Sequence, residues 1–274
     1  MDPGEMFNWP DGDIILRATH DTDTRDFRVH KIFLSFASPV FKDMFKLPQP
    51  PSATSAVDII DMNDPPRALD AILRFIYPAA DPPTINDVAF LSEVLILADK
   101  YQIDFARSRL RPLLMEFAKA DPLRTYAIAC RLGFETEMKV ASWNTRSINL
   151  LGLTELPDEF KYLSCMEYHR LVLLHVRYWK EVEAVATSSP PPWVPPLPYN
   201  GGSLARLMSA ADAKFFEEGA KQMIVNAIKR GGPLDYESLL LTIRGSPQSG
   251  NFEGWAGDFI RAVLDKADAL NLTV

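Results

Sequence analysis

The sequence predicts an α+β domain followed by an all-helical region. Three observations carry this prediction. Two short strand runs separated by a polar break stand near the start; one further strand run follows a Pro/Ser/Ala loop; and helix signals alone occupy the remainder.

The first run is Asp13-Ile14-Ile15-Leu16, β-branched and aliphatic. A break rich in Asp and Thr, from His20 to Arg25, has the composition of an antiparallel connection. The second run, Asp26 to His30, alternates polar and apolar, which marks a strand with one buried face bearing Phe27 and Val29. After His30 the period turns helical, with Ile32, Phe33, Leu34 and Phe36. Ser38 then caps a new helix that has Pro39 at its first position. The third strand is Val57 to Ile60, behind the loop from Pro48 to Ala56.

Asp64 has the place of a helix N-cap, with Pro65 beside it and Leu69, Ile72, Leu73 and Ile76 on one face; the helix should stop before Pro78. A second helix is expected over about 86–100, with Val88, Leu91, Leu95 and Ala98 inward. A third begins near Asp104 and includes Leu110, Leu113, Leu114 and Phe117. Asp121-Pro122 is another cap and start, ended by Gly133. Ser164 and Glu167 form a capping box, in which each satisfies a backbone donor of the other. The helix it opens carries Tyr168, Leu171, Val172, His175, Tyr178, Trp179 and Val182 on one stripe. Residues 190–198 are a Pro-rich segment suited to an extended spacer. Further helices are expected over about 211–230, closed by Gly231-Gly232-Pro233, and over 235–243 and 252–271.

The segment from Asp13 to Phe45 resembles the opening of the BTB/POZ domain, a protein-interaction module. The resemblance joins an Asp at a strand start (Asp13), F-x-V-H-K (Phe27, Val29, His30, Lys31), Leu34, and S-P-x-F-x-x-M-F (Ser38, Phe41, Met44, Phe45), all in family order. Phe75-Ile76-Tyr77-Pro78 extends it. The helical tail, with D-P-L-R-x-Y-A-I-A-C from Asp121, is similar to that of BTB proteins from mushroom-forming, basidiomycete fungi. The implied fold is a small mixed sheet with a helical cluster. The implied layout is a BTB/POZ domain over 1–119, a BACK-like helical extension over 120–186, a Pro-rich linker over 187–202 and a C-terminal helical segment over 203–274. The resemblance also implies that Asp13 and Lys31 pair in a charged pocket at the domain centre, with a structural role.

The function it implies is a non-enzymatic adaptor or scaffold with a protein partner. A substrate receptor for a cullin-RING ubiquitin ligase is a narrower alternative. Such receptors often carry a hydrophobic-x-Glu motif after the second helix, where this chain has Leu47-Pro48-Gln49. A transcriptional co-regulator is a further alternative, although no zinc finger or other DNA-binding segment is visible. An enzyme would need a site assembled from scattered residues, because nucleotide, nucleophile-elbow and zinc-protease motifs are all absent.

Composition agrees. The net charge of −7 disfavours direct nucleic-acid binding. Arg107 and Arg111, one helical turn apart in the densest basic stretch, read as a solvated helix face. Cys130, Cys165 and the four histidines do not fall into ligand spacing, so no metal or cofactor is expected. No apolar segment approaches the ~20 residues a bilayer requires, and no secretory signal precedes Asp13, so the cytoplasm or nucleus is expected. Pro3, Gly4, Pro10 and Gly12 preclude the N-terminal helix through which some BTB domains exchange elements. The expectation is a monomer or a weak homodimer through another face. Tyr178, Trp179 and Trp193 are the candidate interface aromatics, against a plainer reading as core face and linker tack.

Overall fold

Three strands and the helices that cover them follow from the pattern of Ile14 to Leu73. The computed structural model describes residues 6–47, 57–78, 80–187, 222, 225–226, 260–265 and 268–269. It divides into two units, Met1–Glu137 and Met138–Val274.

In the first unit β1 (Ile14–His20) and β2 (Asp23–Val29) form an antiparallel hairpin, with Leu16 opposite Phe27 and His20 opposite Asp23. The polar stretch expected to be a break is therefore mostly strand. Only Asp21 and Thr22 turn the chain, and Asp21 has φ 51°. The polar side chains of Asp23 and Thr24 are exposed there, so no alternation marks them. β3 (Asp58–Met62) pairs parallel to β1 with Ile14 opposite Asp58, giving the order β2-β1-β3. Ile14, Leu16 and Ala18 are buried with Phe27, Val29 and Met62, as a period of two requires when one face is covered.

An element that the sequence reading missed lies outside β2. Arg28 N–H donates to Phe7 O at 2.7 Å and Trp9 N–H to Arg28 O at 3.1 Å, so residues 7–9 run along that strand. Phe7 is buried. Gly12 is needed at the following bend, since a Cβ there would stand 2.9 Å from Val29 O.

Helices α1 (Lys31–Ala37) and α2 (Pro39–Met44) meet at Ser38, which is buried. Its hydroxyl accepts the Phe41 N–H at 3.0 Å and donates to Tyr101 O at 2.6 Å. α3 (Pro66–Ile76) buries Leu69, Ile72 and Leu73 and ends at Tyr77, before Pro78. Asp64 does not cap it. The helix begins only at Pro66, and the Asp64 carboxylate is buried, receiving Lys100 Nζ at 2.6 Å and the Tyr101 hydroxyl. Two successive prolines move the helix start and leave Asp64 to tie the end of β3 to Lys100 and Tyr101.

α4 (Val88–Lys100) is capped by Asp87, whose carboxylate accepts Phe90 N–H at 2.7 Å. α5 (Asp104–Ala120) and α6 (Pro122–Leu132) complete the helical cluster; Asp121 caps α6, and Gly133 at φ 69° closes it. α6 packs on α4 and α5 inside this unit, so the expected boundary at 119/120 falls within it. Arg111 is not simply solvated: it grips the buried Glu137 carboxylate with two hydrogen bonds, 2.6 and 2.8 Å, and lies 4.8 Å from the centre of the Phe134 ring.

The unit boundary falls within α7 (Glu135–Asn144). In the second unit three 3₁₀ turns, Thr145–Ser147, Leu150–Gly152 and Asp158–Tyr162, lead to α8 (Cys165–Thr187). Its capping box forms as expected: Ser164 N–H donates to Glu167 Oε2 at 2.6 Å and Glu167 N–H to Ser164 Oγ at 3.2 Å. Residues 260–265 are helical, with Ile260 and Val263 buried. The Pro-rich segment 190–198 and the helix expected over 235–243 lie outside the described residues. So do most of those over 211–230 and 252–271.

Candidate protein-interaction surface

The start of α1 is where the family-motif residues converge. Asp13 and Lys31 do meet, but not as the expected side-chain pair. Asp13 Oδ1 accepts the Lys31 backbone N–H at 2.7 Å, which satisfies a free donor of the first helical turn. Lys31 Nζ turns instead to Asp58 Oδ2 at 2.8 Å. Asp13 is exposed, and the Lys31–Asp58 pair is partly so, so this is a rim of charge rather than a buried pocket. Asp58 was missed because its nearness to Lys31 follows from the parallel register of β3, which local sequence does not announce.

Beside it lies an aromatic cluster around Tyr77. The Tyr77 hydroxyl accepts the His30 N–H at 2.8 Å and stands 3.0 Å from His30 Nδ1, while His30 Nε2 is 3.3 Å from Asp11 Oδ1. Donation of the hydroxyl proton to Nδ1 satisfies all three contacts and places the ring hydrogen on Nε2, facing Asp11. Trp9 stacks parallel to Tyr77 with centroids 6.1 Å apart; Phe33 and Phe7 pack at 4.9 and 5.4 Å. Burial pushes the Tyr77 phenol up to about 12.

These contacts fix α1 by its first turn and by Leu34, which is buried with Phe27, Val29 and Phe41. Met44 and Phe45 are half-buried, and Phe45 stacks on Phe41 at 6.0 Å. Among the described residues, nothing comparable covers the opposite side of α1. Ile32 is 60% exposed and Phe36 86%, one helical turn apart, with Phe33 37% exposed between them. Leu47, after α2, is 63% exposed. The apolar run from Ile32 to Phe36 thus divides: Leu34 enters the core, and the remainder forms a rigidly mounted apolar surface.

Of the two readings of the aromatic stripe of α8, Tyr178 takes the plainer one, a core face. Tyr178 is buried, its ring against Trp143 at 5.6 Å and its hydroxyl donating to Asp268 at 3.1 Å. Trp179 is half-buried, edge-on to His175 at 5.9 Å. Amphipathicity on α8 therefore reports a core face. Trp193 lies outside the described residues. No group of three or more His, Cys, Asp or Glu among the described residues is placed to hold a metal ion, and no described helix is long and apolar enough to cross a membrane.

Comparison with known proteins agrees with this geometry. The BTB/POZ domain pattern matches residues 11–116. A BTB/POZ domain-containing protein of Arabidopsis thaliana is 24% identical over 150 residues, which cover 54% of this chain and 66% of that protein's length. The matched region holds the whole sheet, α1 to α4 and most of α5. With a β2-β1-β3 mixed sheet, a helical cluster around it and the motif residues converging on α1, residues 11–116 of this chain are a BTB/POZ domain, a fold of the protein-interaction class.

Proposed function

We propose that the chain is a non-enzymatic adaptor that binds a protein partner through the outer face of α1. One observation carries this reading: Ile32 and Phe36 are exposed on a helix whose other side is pinned by Leu34, Asp13 and the Tyr77 cluster. Large apolar groups exposed on an already formed helix favour association, because the backbone that carries them has no freedom left to lose when they are covered. The apolar side chains of α1 alone fall short of the ~800 Å² per partner that a stable interface covers. The domain by itself is therefore a monomer or a weak dimer, and a tight partner must also reach neighbouring residues such as Leu47.

The cullin-receptor reading has less support. Leu47 is exposed after α2, yet Gln49 stands where that motif requires an acid. The layout of an extension, a linker and a C-terminal helical segment, and the likeness to fungal BTB proteins, rest on sequence motifs such as D-P-L-R-x-Y-A-I-A-C.

Parallel affinity capture tests the proposal, using the native chain and an Ile32→Glu/Phe36→Glu variant of equal thermal stability. Proteins retained by the native chain and lost by the variant support it. An identical set from both overturns it. Light scattering of the native chain at micromolar concentration should report a monomer; a tight dimer would contradict the area argument.

A further inference from the structure

The β3 edge of the sheet is open among the described residues. At the opposite edge, residues 7–9 run along β2, where Arg28 N–H donates to Phe7 O and Trp9 N–H to Arg28 O. β3 pairs with β1 alone in the order β2-β1-β3, and no backbone hydrogen bond joins the far edge of residues 59–62 to any other described residue. In a parallel ladder alternate residues turn their N–H and C=O away from the neighbour. The far side of β3 therefore presents a row of main-chain donors and acceptors.

The side chains along this edge define what it can accept. Ile59 lies opposite Ile15 and Asp61 opposite Arg17, so all four share the outer face of the sheet. Ile59 is 38% exposed, and Ile60, opposite Leu16 on the covered face, is half-buried. Arg17 donates from Nε and Nη2 to the two oxygens of Asp26 on β2, at 2.8 and 2.9 Å. The exposed Asp61 carboxylate is thus left with no hydrogen-bonded cation among the described residues, whereas Asp58 is held by Lys31. A second copy fits this edge badly, because two β3 strands side by side would bring like carboxylates onto one ladder. A strand with apolar side chains beside Ile59 and Ile60 and a Lys or Arg beside Asp61 fits it.

We infer that the β3 edge is a strand-addition site for an extended segment of a partner protein in which apolar residues adjoin a basic one. Main-chain hydrogen bonds hold the segment, and Asp61 selects its charge. The site uses no residue of α1.

The test uses the full chain and a fluorescein-labelled peptide, Thr-Lys-Val-Val-Val-Lys-Thr, which presents Val and Lys in the required places whichever way it runs. Anisotropy titrated to millimolar peptide at low salt should show saturable binding. Replacing both lysines of the peptide by Glu should weaken it about fivefold. Methylating the nitrogens of its valines, which removes the main-chain donors, should weaken it at least about tenfold. Asp61→Lys, a change at an exposed position, should reverse the preference, so that the Glu peptide binds the better of the two. Hydrogen exchange in residues 59–62 should slow when the Lys peptide is bound, with α1 unchanged. The Ile32→Glu/Phe36→Glu variant should bind the peptide as the native chain does, which separates this site from the α1 face. No saturable binding overturns the inference. So does equal binding of the methylated peptide, or a charge preference that Asp61→Lys leaves unaltered.

Discussion

Asp64 shows how a single carboxylate can hold two elements together. It lies buried between Lys100 and Tyr101, so its removal strands the Tyr101 hydroxyl in the core beside Phe41. Asp64→Ala should therefore cost about 2–4 kcal/mol in chemical denaturation. Asp13→Ala removes only an exposed acceptor for the Lys31 N–H and should cost about 1 kcal/mol. The reverse order of these two losses would refute this assignment of anchor and cap. His175 is the other residue with a measurable signature. It is buried, with Nε2 2.9 Å from the Thr145 hydroxyl, which itself donates to Ser142 O at 2.7 Å. Nε2 must then carry the hydrogen, and burial lowers the imidazole to about 4. A depressed value means that the unfolded chain takes up the proton first as pH falls. Stability is thus fully present above about 6.5 and declines toward pH 4, by about 3 kcal/mol at most from this group. His175→Gln should flatten that decline in melts between pH 7 and 4; an unchanged slope would show that other groups cause it.

At the scale of elements, the three strands, the helix starts at Ser38 and Asp121, and the capping box at Ser164 were legible because each rests on short-range chemistry: alternation, a side-chain oxygen, or a proline in the first turn. The misreadings share a cause. Asp23 to Arg25 join β2 through pairing with β1, which their polar side chains do not advertise. Asp58 meets Lys31 only once β3 lies parallel to β1. The stretch from Phe7 to Trp9 is too short to show a period, yet it lies along β2 and supplies a buried ring to the Tyr77 cluster. Phe7→Ala should accordingly cost about 3–5 kcal/mol by denaturant titration, as for other large buried aromatics. A loss below 1 kcal/mol would mean that this stretch adds little to the fold.

For the molecule as a whole, the candidate surface was less legible than the core. The run Ile32 to Phe36 reads as interior in any hydrophobic count, and only the placement of α1 over the sheet and Tyr77 shows that one side of it is uncovered. The aromatic stripe of α8 is the converse case: it too is apolar by pattern, and Tyr178 on it is buried beside Trp143. Amphipathicity shows that a face is apolar; the fold decides whether a neighbour already covers it. The most direct measurement is the affinity of a captured partner for the native chain and for Phe36→Asp by calorimetry, with melting temperatures recorded for both. Loss of at least about 1.4 kcal/mol, a factor of ten, with an unchanged melt is the predicted result. Equal affinity for the two chains would contradict it.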